Sequence, residues 1–159
     1  MALSHIEHYL VAADDPDQTR DWYCTVLGMT EGPHPDFGFP VHWLYLNGHD
    51  TVHISRNARQ AGEDQKTYLG RIAQDTGSGT GAIDHIAFHA TGLIATMAHL
   101  RAQGIEFTQR RAGNQALYQL FLYDPNGIKI ELNFDAEEAA ALEPEVNSAD
   151  FTRDGLGVP

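Results

Sequence analysis

The chain has 159 residues, 42% of them hydrophobic, and a formal net charge of −12 at pH 7. That length fits one domain or two small halves sharing a core. The acid excess argues against a phosphate-backbone partner, which needs clustered Lys and Arg, and the lack of a run of about 18 apolar residues argues against a membrane span.

In chain order, residues 5–13 alternate as a strand does. Asp14-Asp15-Pro16 predicts a helix start, with an acidic cap and a proline where its missing N–H costs nothing. That helix runs to about Val26 and closes at Gly28, with Trp22 and Val26 in its apolar stripe. Residues 29–40 carry three prolines and two glycines and read as a loop around a short strand. Val41–Leu46 is rich in β-branched and aromatic types, and Asn47-Gly48 then turns the chain into a return strand at 51–55. Residues 56–81 are polar, with a short helix expected near 65–75 and a flexible Gly77–Gly81 linker; no Lys-Ser/Thr follows those glycines, so they are no phosphate loop. A second series begins at Ile83. It has a helix over 93–103 capped by Thr91 and closed by Gly104, strands at 105–109 and 117–123, an Asp124-Pro125-Asn126-Gly127 turn, and a last strand at 128–134. Acidic helical turns are expected near 137–142, then an irregular tail.

The two series repeat one layout. Ile6-Glu7-His8-Tyr9 matches Ile83-Asp84-His85-Ile86. Each is followed by a helix-closing glycine, an Asn-Gly turn, and a strand bearing His53 in the first copy and Glu131 in the second. His8 and His53 lie 45 residues apart, His85 and Glu131 46 apart. A repeat of this kind sets the architecture. The expected fold is α+β, two βαβββ modules at 5–57 and 83–134, joined by a linker at 58–82 and followed by an acidic tail at 135–159.

Strand alternation places His8, His53, His85 and Glu131 on the faces opposite the apolar, helix-bearing ones. Two histidines and a carboxylate with open positions suit Fe(II); three histidines and a carboxylate suit Zn²⁺, Ni²⁺ or Mn²⁺ nearly as well. Phe37, Phe39, Trp43 and Tyr118 are candidate walls for a planar ligand, with His42 beside Trp43 a candidate contact. Arg110 and Arg111 could steer an anion, although a solvated loop accounts for them equally. The single cysteine, Cys24, reads as a core residue and leaves no internal disulfide. With no signal-peptide pattern at Met1–His5, this leads to the expectation of a cytoplasmic protein.

The paired modules, the His8 and His85 openings, Trp22-Tyr23 with Val26-Leu27-Gly28, and Asp124-Pro125-Asn126-Gly127 with Ile130-Glu131-Leu132 resemble the vicinal oxygen chelate superfamily over residues 5–134. That group includes glyoxalase I, extradiol catechol dioxygenases, methylmalonyl-CoA epimerase and the fosfomycin and bleomycin resistance proteins. The resemblance implies strands curling around a metal cleft with helices outside. It also implies a homodimer, and His8, His85 and Glu131 as metal ligands. Position 53, commonly Glu or Gln in glyoxalase-like and epimerase-like members, is His here, a possible fourth ligand or acid/base. His49-Asp50 resembles a His-Asp pair of extradiol dioxygenases whose histidine is the acid/base, so the resemblance implies His49 or His53 as the group that accepts and returns the substrate proton. Phe121 stands where those enzymes often carry a tyrosine near the metal. The resulting expectation is an Fe(II) extradiol dioxygenase acting on a catechol-like substrate and O₂. A glyoxalase-like lyase or isomerase is the alternative, and a metal-free binding protein the third reading.

Overall fold

The computed structural model describes residues 6–57, 59–69, 79, 83, 85–112, 116–140, 142 and 146–147. Contacts divide the chain into two units, residues 1–79 with 124–126 and residues 80–123 with 127–159. Each unit carries one βαβββ module, so the expected α+β class is the observed one. Most of the expected linker and tail, and Asp84, fall outside the described residues. Among those described, no helix is long and apolar enough to cross a membrane.

The first module runs β1 (Tyr9–Ala13), α1 (Pro16–Leu27), β2 (Thr30–Gly32), β3 (Val41–Leu46) and β4 (His49–Arg56). Its sheet has the order β1-β4-β3-β2, with β1 parallel to β4 and the other pairs antiparallel. A parallel pair needs a crossover, and α1 lies within it. The helix begins as composition predicts. Asp15 Oδ1 accepts from the Gln18 amide at 3.0 Å, Pro16 opens the first turn, and Gly28 closes the helix at φ 70°. Thr19, Tyr23 and Val26 face the core, while Trp22 is only half-buried. Val26 is buried as expected, and Tyr23 rather than Trp22 is the buried aromatic of the stripe. A second helix, α2 (Glu63–Leu69), starts earlier than the expected 65–75.

Asn47 (φ 52°) and Gly48 (φ 83°) form the two-residue turn between β3 and β4. Positive φ at both positions is what a turn matching the strand twist requires. Leu46 then faces His49 and Tyr45 faces Asp50, but Leu44 faces Val52. Thr51 is the extra residue of a bulge, and everything beyond it shifts by one. As a result Trp43 pairs with His53.

The second module runs β5 (Ile86–His89), α3 (Leu93–Ala102), β6 (Thr108–Ala112), β7 (Leu117–Tyr123) and β8 (Lys129–Asp135). The sheet order is β5-β8-β7-β6-β9, where β9 (Val146–Asn147) lies parallel to β6. The expected strand at 105–109 is displaced to 108–112, because β6 extends only where β7 offers partners, from Thr108 opposite Phe121 to Ala112 opposite Leu117. Arg110 and Arg111 therefore lie on a strand rather than in a loop.

Thr91 does not cap α3. Gly92 is the cap residue at φ 79°, and its own side chain offers nothing. Glu138 Oε2 instead accepts from the Gly92 and Leu93 amides, each at 2.8 Å. Glu138 belongs to a short 3-10 helix (Ala136–Ala139), so part of the acidic segment after β8 serves as a remote cap. The Asp124–Asn126 turn groups with the first unit: Tyr23 Oη donates to Asp124 Oδ2 at 3.2 Å, and Asn126 Nδ2 donates to Thr19 Oγ1 at 3.0 Å.

Candidate functional site

In the first module, the register sets one face. Leu10 pairs with His53, so His8, two residues before Leu10, shares the His53 face, as does Trp43 across the sheet. The three rings stack. His53 lies 4.0 Å from Trp43 at an interplanar angle of 5°, and 3.8 Å from His8 at 21°. Burial, followed by the nearby His8 charge, holds the His53 imidazole below its ordinary range, while Asp50 pulls it back up. Asp50 Oδ2 stands 3.4 Å from His53 Nε2. With its proton on Nε2 toward that carboxylate, His53 leaves Nδ1 as the basic nitrogen.

This face opens into a cavity of about 400 Å³. Phe37, Phe39, Trp43 and Leu10 supply its apolar wall, and His8, His53, Asp50 and Glu7 its polar groups. Phe37 sits 5.9 Å from Phe39 and 6.1 Å from Trp43, ring centre to ring centre. The volume and mixed lining are those of a small-molecule site.

In the second module, Ala87 pairs with Glu131, which places His85 on the Glu131 face. Glu131 is 6% exposed, and its two oxygens have separate tasks. Oε1 accepts from Gln119 Nε2 at 2.9 Å and from Asn133 Nδ2 at 2.8 Å. Oε2 stands 3.2 Å from His85 Nε2. Gln119 Oε1 in turn accepts from Arg110 Nε at 2.7 Å and from a terminal guanidinium nitrogen. Phe121, paired with Glu131, meets the His85 ring edge-on at 6.5 Å and lies under Arg110 at 4.9 Å.

These distances test the donor set against a divalent ion. Metal–nitrogen and metal–oxygen bonds of about 2.0–2.2 Å put neighbouring donors about 3 Å apart, so His85 Nε2 and Glu131 Oε2 fit two adjacent positions on one ion. His8 and His53 do not fit in the same way. Two imidazoles on adjacent positions of one ion point their in-plane lone pairs at a common point, with ring centres roughly 4.5 Å apart. Face-to-face rings cannot do that. Among the described residues, no group of three or more His, Cys, Asp or Glu side chains is gathered around one point.

The remaining expectations fare differently. His49 is exposed at the start of β4 and lies outside the cavity lining; Asp50, its neighbour, is the one that turns to a histidine, and that histidine is His53. His42 pairs with Ile54 and so lies on the core face, 2.7 Å from Glu31 and 3.2 Å from Asp17, which corrects its expected place beside the substrate. Tyr118 pairs with Phe134, is fully buried, and donates to Gln109 Oε1 at 2.8 Å, so it is a core residue and not a cavity wall. His89 shares the Glu131 sheet face and is exposed, and Arg111 donates to the Ala139 and Leu142 carbonyls. Sequence reading missed Gln119. The available signal was an amide in the middle of the apolar run Leu117–Tyr123.

The architecture recurs in known proteins. Lactoylglutathione lyase from Agrobacterium tumefaciens superposes with a TM-score of 0.63 at 18% identity, covering 89% of this chain and all of that one (100%). The genomically encoded fosfomycin resistance protein FosX of Listeria monocytogenes gives 0.60 at 16% identity, covering 86% of this chain and 98% of that one. These likenesses establish the fold. In sequence, the uncharacterised protein slr0090 of Synechocystis sp. is 29% identical over 120 residues, 71% of this chain; the chain spans about a third of that relative's length (34%). Residues 5–132 match the family described as Glyoxalase/Bleomycin resistance protein/Dioxygenase superfamily. With His8, His85 and Glu131 all inside the matched span, the chain belongs to the Glyoxalase/Bleomycin resistance protein/Dioxygenase superfamily.

Proposed function

We propose that this protein is a metal-dependent enzyme acting on a small planar aromatic, of the extradiol ring-cleaving kind. The observation that carries the reading is the pairing of His85 Nε2 with Glu131 Oε2 at 3.2 Å, on a carboxylate whose other oxygen is held by two amides. The repeat nominates His8 as the third ligand, completing the two-histidine, one-carboxylate set suited to Fe(II). Bound Fe(II) would supply affinity for two vicinal substrate oxygens and the reducing electron that O₂ activation needs.

The chain's own groups cover the remaining needs. The wall of Phe37, Phe39 and Trp43 receives a flat ring and excludes water. His53, with Asp50 on Nε2, accepts a substrate hydroxyl proton at Nδ1 and returns it later. Its stack on His8 favours this acid/base role over that of a fourth ligand. A lyase or isomerase of the glyoxalase kind is the second reading, favoured by the carboxylate of Glu131 beside His85, which could serve as a base. A homodimer fits either.

The test is anaerobic purification, metal analysis, then addition of catechol with an oxygen electrode and absorbance in the near-visible. Stoichiometric iron, O₂ uptake and a yellow ring-fission product are expected, all lost in His85→Ala and Glu131→Ala. Nickel, zinc or manganese without O₂ uptake would move the assignment to the second reading. Aromatic binding that survives both substitutions, with no metal retained by the native protein, would leave a binding protein.

A further inference from the structure

His53 is the middle ring of a stack, and the sheet order puts it there. Strand β4 lies between β1 and β3, so its residues have a neighbour on either side. On one side Trp43 pairs with His53 directly, with ring centres 4.0 Å apart and planes 5° from parallel. On the other side stands His8, at 3.8 Å and 21°. Two rings cannot share one face of an imidazole at those distances without overlapping each other. The indole therefore covers one face of His53 and the His8 ring the other. Imidazole nitrogens bind ions in the plane of the ring, so the stack leaves His8 its ligand role.

The indole reaches this position through the bulge at Thr51, which moves Trp43 from opposite Val52 to opposite His53. It has aromatic neighbours of its own, Phe37 at 6.1 Å and His34 at 6.2 Å between ring centres. Asp50 Oδ2, 3.4 Å from His53 Nε2, holds a single atom of the imidazole. That contact alone lets the ring swing about it. The two covered faces remove the swing.

We infer that Trp43 is a positioning residue: its indole fixes the plane of the His53 imidazole, so that the nitrogen turned away from Asp50 is presented in one direction. The inference rests on reading His53 as the group that accepts the substrate proton. Such a group acts only within hydrogen-bond reach of that proton, and a misplacement of about 1 Å can cost about 100-fold in rate. Trp43 also lines the cavity. It thus has two separable roles, one in binding the ring of the substrate and one in the proton step.

Two measurements separate them. The first is steady-state kinetics with catechol on the iron-loaded, full-length protein. Phe37→Leu, which alters the wall alone, should raise KM at near-native kcat. Trp43→Leu should raise KM and also lower kcat about tenfold or more, within the roughly 10²–10⁴-fold that a positioned acid or base supplies. Trp43→Phe keeps a flat ring and should recover most of the lost kcat. The second is carbon-13 relaxation at His53 Cε1, assigned by its loss in His53→Gln, on the full-length chain freed of paramagnetic metal. The ring should be rigid in the native protein and in Trp43→Phe, and mobile in Trp43→Leu. Native kcat or a rigid imidazole in Trp43→Leu overturns the inference and leaves Trp43 as wall only. So does a Trp43→Phe variant as impaired as Trp43→Leu. No turnover by the native protein, or full turnover in His53→Gln, overturns the acid/base reading instead, and relaxation then still decides whether the indole holds the ring.

Discussion

Gln119 shows how much one buried amide can govern. It is 3% exposed, donates to Glu131 Oε1 and Asn133 Oδ1 at 2.9 Å each, and accepts from Arg110. Replacing it with Leu keeps the volume near native but strips a partner from a buried carboxylate and from a guanidinium. Unsatisfied buried groups of that kind cost about 1–3 kcal/mol. Gln119→Leu should therefore lower the urea midpoint at unchanged m-value. If Glu131 is a ligand, it should also weaken metal affinity about 10–100-fold, as loss of a ligand's supporting hydrogen bond does. A variant with native midpoint and native metal affinity would show that the amide does not position the carboxylate. Cys24 offers a second residue-level check. Burial comes first among the causes that push its thiol up, with the Glu31 charge adding to it against an opposing hydrogen bond. A raised pKa means less thiolate at a given pH, and the thiolate is the nucleophile. Alkylation by iodoacetamide at pH 8 should run slower than for free cysteine, with its pH midpoint displaced upward; an equal or faster rate would contradict the burial. Two residue assignments illustrate what alternation can and cannot supply. Tyr118 and Phe121 lie three apart on one strand, so alternation alone puts them on opposite faces, and only Phe121 faces His85. Trp43 and His42 needed more. An unbulged Asn47-Gly48 hairpin would set Trp43 opposite Val52 on the core side; the extra Thr51 moves it opposite His53. No residue type in that stretch announces a bulge.

Among the elements, α3 depends most on a distant group. Its cap residue is Gly92, and two of the free amides at its start, those of Gly92 and Leu93, are satisfied by Glu138. A carboxylate there also opposes the positive end of the helix dipole. Glu138→Ala should cost about 1 kcal/mol, within the span seen for lost caps, and lower Tm by several degrees. Glu138→Gln keeps an oxygen acceptor and should lose less. Equal loss in both would assign the effect to charge alone, and no loss in either would mean that water serves the helix start as well. This contact also explains why the cap was illegible from the chain. The sequence offered Thr91 at the right spacing, and only the folded path of the segment after β8 brings Glu138 there, 46 residues away. By contrast, α1 and the β3–β4 turn were legible because all their determinants are local: Asp15 and Pro16 at one end, Gly28 at the other, Asn47-Gly48 between the strands. The displaced β6 repeats the lesson, since its bounds were set by the extent of β7 rather than by its own residues.

At the scale of the whole molecule, the legible features were the repeat and the charge. Chain order alone paired His8 with His53 and His85 with Glu131, and each module does bring its own pair into contact. The charge leads to the last prediction. A net −12 leaves more carboxylates than cations to pair with them, and Arg20 is already shared among Asp17, Asp21 and Glu31. Self-repulsion of this kind opposes the compact state. Raising salt from about 0.01 M to about 1 M shrinks the screening length from about 30 Å to about 3 Å, which weakens repulsion across a module more than it weakens pairs in contact. Tm should therefore rise with NaCl at pH 7. The Arg20→Ala variant sharpens the point, because it leaves three carboxylates facing one another without their shared cation. It should lie below the native protein in Tm at low salt and recover much of that difference at high salt. A native Tm that falls with salt would mean that close ion pairs outweigh the excess charge. A deficit in Arg20→Ala that ignores salt would mean that the arginine's carbon stem contributes more through packing than its charge does.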